Sequence, residues 1–507
     1  MEDNEEATDA TAGGVTAYAR IRLMLFGAIL AFSSIFQMGY SNAYPNTAIE
    51  SFRIYLNQSL EGDLDESGFT WIWSIILNIW FIGFAVGSLC AVPLADRIGR
   101  KSCLLIGNLL NFLSAVMATA GVVWYLWWVY LASRLFLAIS AGVSMNSLIL
   151  LLQESSPSSM RGRMSFYAEM AFVLFNTAGA IAGMRIVLGS RVDLLVGLSM
   201  IPTLLSVLVV LPFHESPKYL LLKKDDRESA SRSLTFYQCT GDAHNNDQLE
   251  LFEKESEDDA PVEISDLYKI PHIRRGLLLG MTSLQITASI WPIVFLSTEL
   301  LKRANIDYEV GEVVSTAMLV ISCFFTCLGM LLVERLPRRH LFLSSSAVNV
   351  CALVLFVVGA CVQPVYDDAK YVCILAIVLH GTSYSLAVGP IAWFITAELL
   401  PLSHRALAQS VALAVNQLLA LCLSFVTLPL YNCIESLGLS GSLTLVPLFV
   451  IPGAVCVLFL FWNLPETKGK EIAEVIGELK KSTESSKEES VELKYGSPLK
   501  EPISTMD

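Results

Sequence analysis

The sequence predicts an all-α polytopic membrane protein: twelve transmembrane helices in two pseudo-symmetric six-helix bundles. Three observations predict it. Of 507 residues, 54% are hydrophobic and only 16% charged, where soluble proteins average roughly 25% charged. The apolar residues gather into about twelve stretches, each near the ~20 residues that a helix needs to cross a bilayer. The motifs of the first half recur in the second. The same composition excludes other classes. A soluble globule of this length could not bury so much apolar surface, and disorder needs low hydrophobicity. A net charge of −13 with no basic stripe argues against nucleic acid as a partner. Long unbroken apolar runs are not the short alternating segments of a membrane β-barrel.

Residues 1–20 form an acidic tail (Glu2, Asp3, Glu5, Glu6, Asp9) ending in Arg20. A signal peptide would start basic and end in a small-residue cleavage site, so the first apolar stretch reads as a retained span. The first bundle, 21–213, holds spans at Leu23–Gly39, Trp71–Leu94, Leu104–Val122, Tyr125–Leu152, Ser165–Val187 and Leu194–Pro212. Residues 214–275 are too polar to span and carry charge runs such as Lys223–Arg227. They read as a connecting segment with short amphipathic helices, for instance between Tyr219 and Tyr237. The second bundle, 276–465, holds spans at Gly276–Leu301, Val313–Val333, Leu341–Val362, Val372–Leu399, Ala406–Tyr431 and Leu443–Leu464. Residues 466–507 form a polar tail, with a helix expected over Glu471–Lys481 and a Ser-, Glu- and Lys-rich disordered end.

Basic residues sort to one side. Arg97, Arg100 and Lys101 follow span two; Arg161 and Arg163 follow span four; Arg335, Arg338 and Arg339 follow span eight; Arg405 follows span ten. The positive-inside rule then places both termini in the cytoplasm. It places Asn57-Gln58-Ser59, a glycosylation acceptor pattern at Asn57, in the first external loop. The eleven Cys lie mostly inside spans, where Cys packs as a small hydrophobe. Cys361, Cys373 and Cys433 fall near external helix ends, and their pairing is open. No Cys/His cluster has metal-ligand spacing, no nucleophile–base pair or phosphate loop is visible, and no cofactor is called for. The chain is not read as an enzyme.

Three echoes run in the same order through both halves. Asp96-Arg97-Ile98-Gly99-Arg100-Lys101 matches Glu334-Arg335-Leu336-Pro337-Arg338-Arg339. Glu154 with Arg161 matches Glu398 with Arg405. His214-Glu215-Ser216-Pro217-Lys218 matches Pro465-Glu466-Thr467-Lys468. Parallel six-helix repeats place a substrate site at mid-membrane between the halves.

With Ala387-Val388-Gly389-Pro390-Ile391-Ala392-Trp393-Phe394-Ile395-Thr396-Ala397-Glu398-Leu399, these motifs resemble the sugar-porter family of the major facilitator superfamily. The likeness to animal facilitative hexose transporters is closest and runs from about Gly39 to Gly469. The resemblance implies the major facilitator fold, a plasma-membrane location, a sugar or polyol as the small-molecule partner, and the bilayer as surroundings. It implies a gating role for Glu154, Arg161, Glu334, Arg335, Glu398 and Arg405, with Arg97, Arg100 and Glu215 as further members. Bidentate Arg–carboxylate pairs at facing helix ends would hold the halves together in one state and part in the other. Arg134 lies deeper on span four, where a charge is costly and functional by default. Snorkelling to the external surface is the plain alternative.

For the substrate shell the resemblance points to span five, span seven, span ten and span eleven. Gly389-Pro390 should loosen span ten, because Pro removes a hydrogen bond and clashes with the preceding turn. Trp393 would line the cavity floor, and Asn416 matches the family on span eleven, followed by Gln417. Ser385 replaces a Glu that many relatives carry. On span seven Gln285 takes the first expected Gln position, Ile286 the second, and Trp291 stands where an Asn is expected. Asn46 is a weaker match to a site polar group. Span five carries Glu169 where a Gln is expected. Protonated, Glu169 would bond a polyol as Gln does; ionised, it would recognise a cation; cycling between the two, it would couple transport to protons. Proton-coupled relatives carry an Asp after the Gly-Tyr of span one, and this chain has Ser41 after Gly39-Tyr40. The expected function is facilitative uniport of a hexose or related polyol by alternating access. An organic-ion or proton-coupled carrier acting through Glu169, and a transport-poor nutrient sensor, remain the alternatives.

Overall fold

The computed structural model describes residues 17–62, 64–157, 160–239, 241–257, 265–468, 470 and 474–481. Among them there is no strand. Twelve helices are long and apolar enough to cross a membrane. In the first half they are Tyr18–Thr47, Gly68–Ile98, Arg100–Val123, Trp127–Glu154, Phe166–Gly183 and Val192–Val210. In the second they are Pro271–Arg303, Tyr308–Val333, Arg338–Val362, Ala369–Glu398, Leu407–Ser436 and Gly441–Asn463. Span one is longer than its apolar run suggests, because Pro45 is accommodated inside the helix near its end.

The apolar faces turned away from the bundle stay exposed, as at Ile201, Phe324 and Trp462. A lipid-facing surface requires this, since hydrocarbon penalises polar atoms and not leucine. Inside, small residues let backbones close up. A Cβ at Gly179 on span five would sit 2.3 Å from the Tyr40 carbonyl oxygen of span one. That contact welds the two helices.

Breaks in three spans of the second half share one cause. Span seven passes through a 3₁₀ turn at Thr287–Ser289 before Pro292. Span ten passes through a π turn at Tyr384–Val388 before Pro390. Span twelve passes through a π turn at Val446–Val450 before Pro452. Proline lacks the N–H for the ladder and its ring presses on the carbonyl four residues back. A tighter or wider turn just ahead of it absorbs the clash. The loosening expected at Gly389-Pro390 is thus a π turn.

The connecting segment folds into helices Pro217–Lys224, Arg227–Gln238 and Asp242–Glu257. The helix read across Tyr219 to Tyr237 is broken in two. Asp225 adopts a left-handed conformation (φ 55°) and Asp226 caps the next helix, accepting from Ser229 N at 2.9 Å. The helices share a small core of Leu221, Ala230, Leu234, Leu249 and Phe252. They dock on the first half, where Gln238 Nε2 donates to the Ser155 carbonyl at 3.2 Å, and Tyr237 OH donates to the His214 carbonyl at the segment's own start at 2.6 Å. In the C-terminal tail, residues 474–481 are helical; the tail beyond them lies outside the described residues.

Candidate functional site: the cavity between the halves

The arginine-rich loops gather at one end of the bundle, here called the basic end. Arg100 Nη2 donates to Glu154 Oε1 at 3.0 Å, and Arg100 Nη1 lies 3.2 Å from Asp96 Oδ1. Ser216 Oγ donates to Glu154 Oε2 and accepts from Tyr219 N at 3.2 Å. Glu215 reaches back to the start of span three, where Oε1 accepts from Lys101 N at 2.8 Å. A carboxylate there satisfies unpaired N–H groups and meets the positive end of the helix dipole. Gly99 makes room for it: its φ is +101°, and a Cβ would lie 2.2 Å from Glu215 Oε2.

The second half repeats this set. Arg338 donates to Glu398. Glu466 accepts from Arg338 N at 3.0 Å and Arg339 N at 3.1 Å, capping span nine as Glu215 caps span three. Pro337 stands where Gly99 does, with an ordinary φ of −59°. The sequence spacing suggested Glu154 with Arg161 and Glu398 with Arg405. Among the described residues the structure pairs each Glu with the arginine that opens the preceding span, Arg100 and Arg338. Arg338 was missed as a gating residue, although the echo of Arg100 in the second loop marks it. The side chains of Arg161 and Glu334 lie outside the described residues. Arg335 is exposed. Arg97 contributes its carbonyl, which accepts from Tyr219 OH at 3.1 Å. Among the described residues each of these ion pairs stays within one half. The expected tie between the halves in one state rests in part on Arg161 and Glu334, whose side chains lie outside the described residues.

Between the halves lies a cavity of about 470 Å³. It runs from Asp96, Arg100, Glu154 and Arg405 at the basic end to Glu169 and Trp393, with Lys218, Lys223 and Phe252 of the connecting segment at its mouth. Glu169 is 8% exposed and makes no hydrogen bond or ion pair among the described residues. Asn146, Gln409 and Ser410 also line the cavity. The sequence reading did not single them out, though each is a polar residue inside an apolar run.

The other expected site residues lie elsewhere. Trp291 meets Phe81 at 5.9 Å and Phe172 at 6.2 Å between ring centroids, and Phe295 at 6.0 Å. These rings, two from each half, plug the space beyond Glu169. Ser385 and Trp291 border only a gap of about 30 Å³ there. Gln285 faces a separate cavity of about 50 Å³ inside the second half, with Ser289 and Asn349. Asn416 Nδ2 donates to the Leu284 carbonyl at 2.7 Å, bracing span seven. Gln417 is buried, and its Oε1 has no partner among the described residues. Of the expected shell, the cavity brings together Glu169 and Trp393.

Past the plug, bonds cross between the halves. Asn46 Nδ2 donates to Ser297 Oγ at 3.1 Å, Thr177 Oγ1 to the Leu319 carbonyl at 3.0 Å, and Tyr308 OH to the Thr47 carbonyl at 3.3 Å. Glu312 Oε1 accepts from Arg185 N at 3.1 Å. Arg134 is 1% exposed and donates to the Ser41 carbonyl at 2.6 Å, so it does not snorkel. Asn57 lies on the helix Ile49–Ser59. The Ser59 hydroxyl of its acceptor pattern is engaged, donating to the Tyr125 carbonyl and accepting from Trp127 N. The described cysteines are all free, Cys361, Cys373 and Cys433 among them. No group of metal-ligating side chains occurs among the described residues.

Two six-helix halves around a central cavity open at one end make this a membrane transporter of the major facilitator superfamily. A solved proton:xylose symporter, XylE, bound to 6-bromo-6-deoxy-D-glucose, shares the fold with a TM-score of 0.73 and 18% identity, over 90% of this chain and 99% of that one. A partially occluded inward-open form of the xylose transporter XylE from E. coli gives 0.70 and 17%, over 88% and 99%. The chain belongs to the family described as "Sugar (and other) transporter", whose model matches residues 26–477. Facilitated glucose transporter member 3 of solute carrier family 2 from Oryctolagus cuniculus is 27% identical over 466 residues, covering 89% of this chain and 91% of that protein. Member 5 from Mus musculus is 25% identical over 469 residues, with the same coverage.

Proposed function

We propose that this chain carries a hexose or related polyol across the plasma membrane by alternating access, downhill and without a coupling ion. In this reading the basic end and both termini are cytoplasmic, and the structure is the inward-facing state. One observation carries it: a single cavity reaches from the basic end to Glu169 and Trp393, while hydrogen bonds and an aromatic plug close the opposite end. A carrier needs a site that opens to one side at a time, with a few polar groups among apolar and aromatic walls. Trp393, Phe166 and Met145 supply the walls. The relatives named as facilitated glucose transporters support a sugar solute.

The fixed ion pairs at the basic end fit the same cycle. Each half keeps its charges matched internally, so the halves separate without stranding a carboxylate. Closing this end then needs only the surfaces of the two clusters to meet. Crossing bonds at the opposite end, at about 1 kcal/mol each, together bias two states that differ by a few kcal/mol.

Uptake by the purified full chain in liposomes tests the proposal, with labelled hexoses and polyols offered with and without a pH gradient. The expected result is saturable flux that collapsing the gradient leaves unchanged. Flux that vanishes with the gradient would replace uniport by proton coupling. Binding without flux would make the chain a sensor.

A further inference from the structure

We propose that the solute this cavity selects carries a protonated amine on its hydroxylated frame, with ionised Glu169 as the counter-ion. This deepens the carrier reading and rests on it for the location of the site.

The argument is a census of hydrogen-bonding capacity at the inner end of the cavity. Neutral sugars are best held by a mixture of donors and acceptors, because each hydroxyl both donates and accepts. Here one of the two N–H donors of each amide is spent. Asn146 Nδ2 donates to the Gly142 carbonyl at 2.8 Å, and Gln409 Nε2 to the Trp393 carbonyl at 2.5 Å. Both partners are main-chain carbonyls, which cannot donate, so the orientation of each amide is forced. Acceptors outnumber the donors that remain: four oxygens, the two amide carbonyls and both oxygens of Glu169, against one N–H on each amide and the Ser410 hydroxyl. Gln409 Oε1 has no partner among the described residues, nor has the Ser410 hydroxyl. An acceptor-rich wall complements a donor-rich ligand, and an ammonium group is the strongest small donor available.

Charge points the same way. Glu169 is buried with no cation beside it among the described residues. A carboxylate sealed in an apolar interior without a partner is prohibitively costly, and the halves must close over it once per cycle. The solute is the group that arrives at the right moment to neutralise it. The Trp393 ring at the same end of the cavity adds an aromatic face for a cation. The charged side chains that face the cavity otherwise lie toward its mouth. Arg100 is matched there by Asp96 and Glu154, and Lys218, Lys223 and Arg405 lie at the basic end. Asn146 and Glu169 sit about two helical turns deeper than that level, near the limit of screening in salt.

The test uses the full chain in liposomes with three labelled probes: D-glucosamine below the pKa of its amine, D-glucose, and N-acetyl-D-glucosamine, which keeps the frame and removes the charge. The expected result is a glucosamine flux about tenfold above either neutral probe, the ratio that one charge-assisted contact supplies. Glu169→Gln should collapse that ratio toward one, and Glu169→Asp should keep the preference. Quenching of tryptophan fluorescence by each probe is read in parallel, and the part of it lost in Trp393→Phe reports occupancy beside Trp393 without requiring transport. Equal fluxes for the three probes, unmoved in ratio by Glu169→Gln, would overturn the inference and leave the carrier reading standing. No flux with any probe, together with quenching by glucosamine alone, would overturn the carrier reading and keep the site. No preference in either readout would overturn the inference outright.

Discussion

The two ends of the interface between the halves are built on opposite plans. At the basic end the strongest contacts stay inside each half: Arg100 with Glu154 and Asp96, and Arg338 with Glu398. At the other end mostly neutral hydrogen bonds, with the Glu312 carboxylate on the Arg185 N–H the exception, and edge-on rings run from one half to the other. The contrast has a physical logic. A contact that must break in every cycle is best made of groups that tolerate separation, such as hydroxyls and amides, which cost about 1 kcal/mol each to part. Buried ion pairs cost several times more when split, so they are kept whole and used to hold the helix ends of each half in register. The aromatic plug adds about 0.5–1.5 kcal/mol per pair and parts without leaving a charge behind.

The largest effect should come from locking the crossing end. With cysteines at Asn46 and Ser297, a short thiol-reactive crosslinker should abolish flux in the double variant and leave both single variants transporting. Flux that survives crosslinking would mean that this end never opens, and the contrast would lose its functional meaning.

Next comes the cost of breaking an ion pair within a half. The Arg100 and Glu154 side chains are 11% and 14% exposed, and those of Arg338 and Glu398 are 25% and 27% exposed. Glu154→Gln should therefore destabilise the protein by about 3 kcal/mol, read as the loss in thermal unfolding midpoint in detergent. Glu398→Gln should cost about 1 kcal/mol, because water compensates the more open arginine. Equal losses would show that exposure does not set the difference.

The smallest effect belongs to the caps. Glu215→Ala and Glu466→Ala each remove a carboxylate from a helix start, and each should cost about 1 kcal/mol. The same melting experiment should give equal shifts for the two. Unequal shifts would show that the two carboxylates are not equivalent caps.

Much of this was legible along the chain. A span is written in local apolar content, so all twelve could be read from runs of residues, apart from their ends. Glu215-Ser216-Pro217 was legible as a motif, and the structure explains each letter: the Glu caps span three, the Ser caps its own helix and bonds Glu154, and the Pro opens that helix. The site was less legible. Glu169 and Trp393 announced themselves as a charge and a large ring beside a break in apolar helices. Gln285 and Trp291 looked equally suitable by position, yet one faces a separate cavity and the other plugs the interface. The turn at Thr287–Ser289 separates them, and it rotates the residues after it by an amount that regular helical spacing cannot supply.

The sequence alone determined that the chain spans a membrane twelve times as a duplicated unit, because hydrophobic length and repeated motifs are local properties. Only the tertiary structure decided which arginine each glutamate holds, which end is closed, and which polar groups keep hydrogen-bonding capacity for a solute. Those depend on distances between residues far apart in the chain. Several arginines of equal charge compete for each carboxylate, and packing geometry, not charge, selects among them.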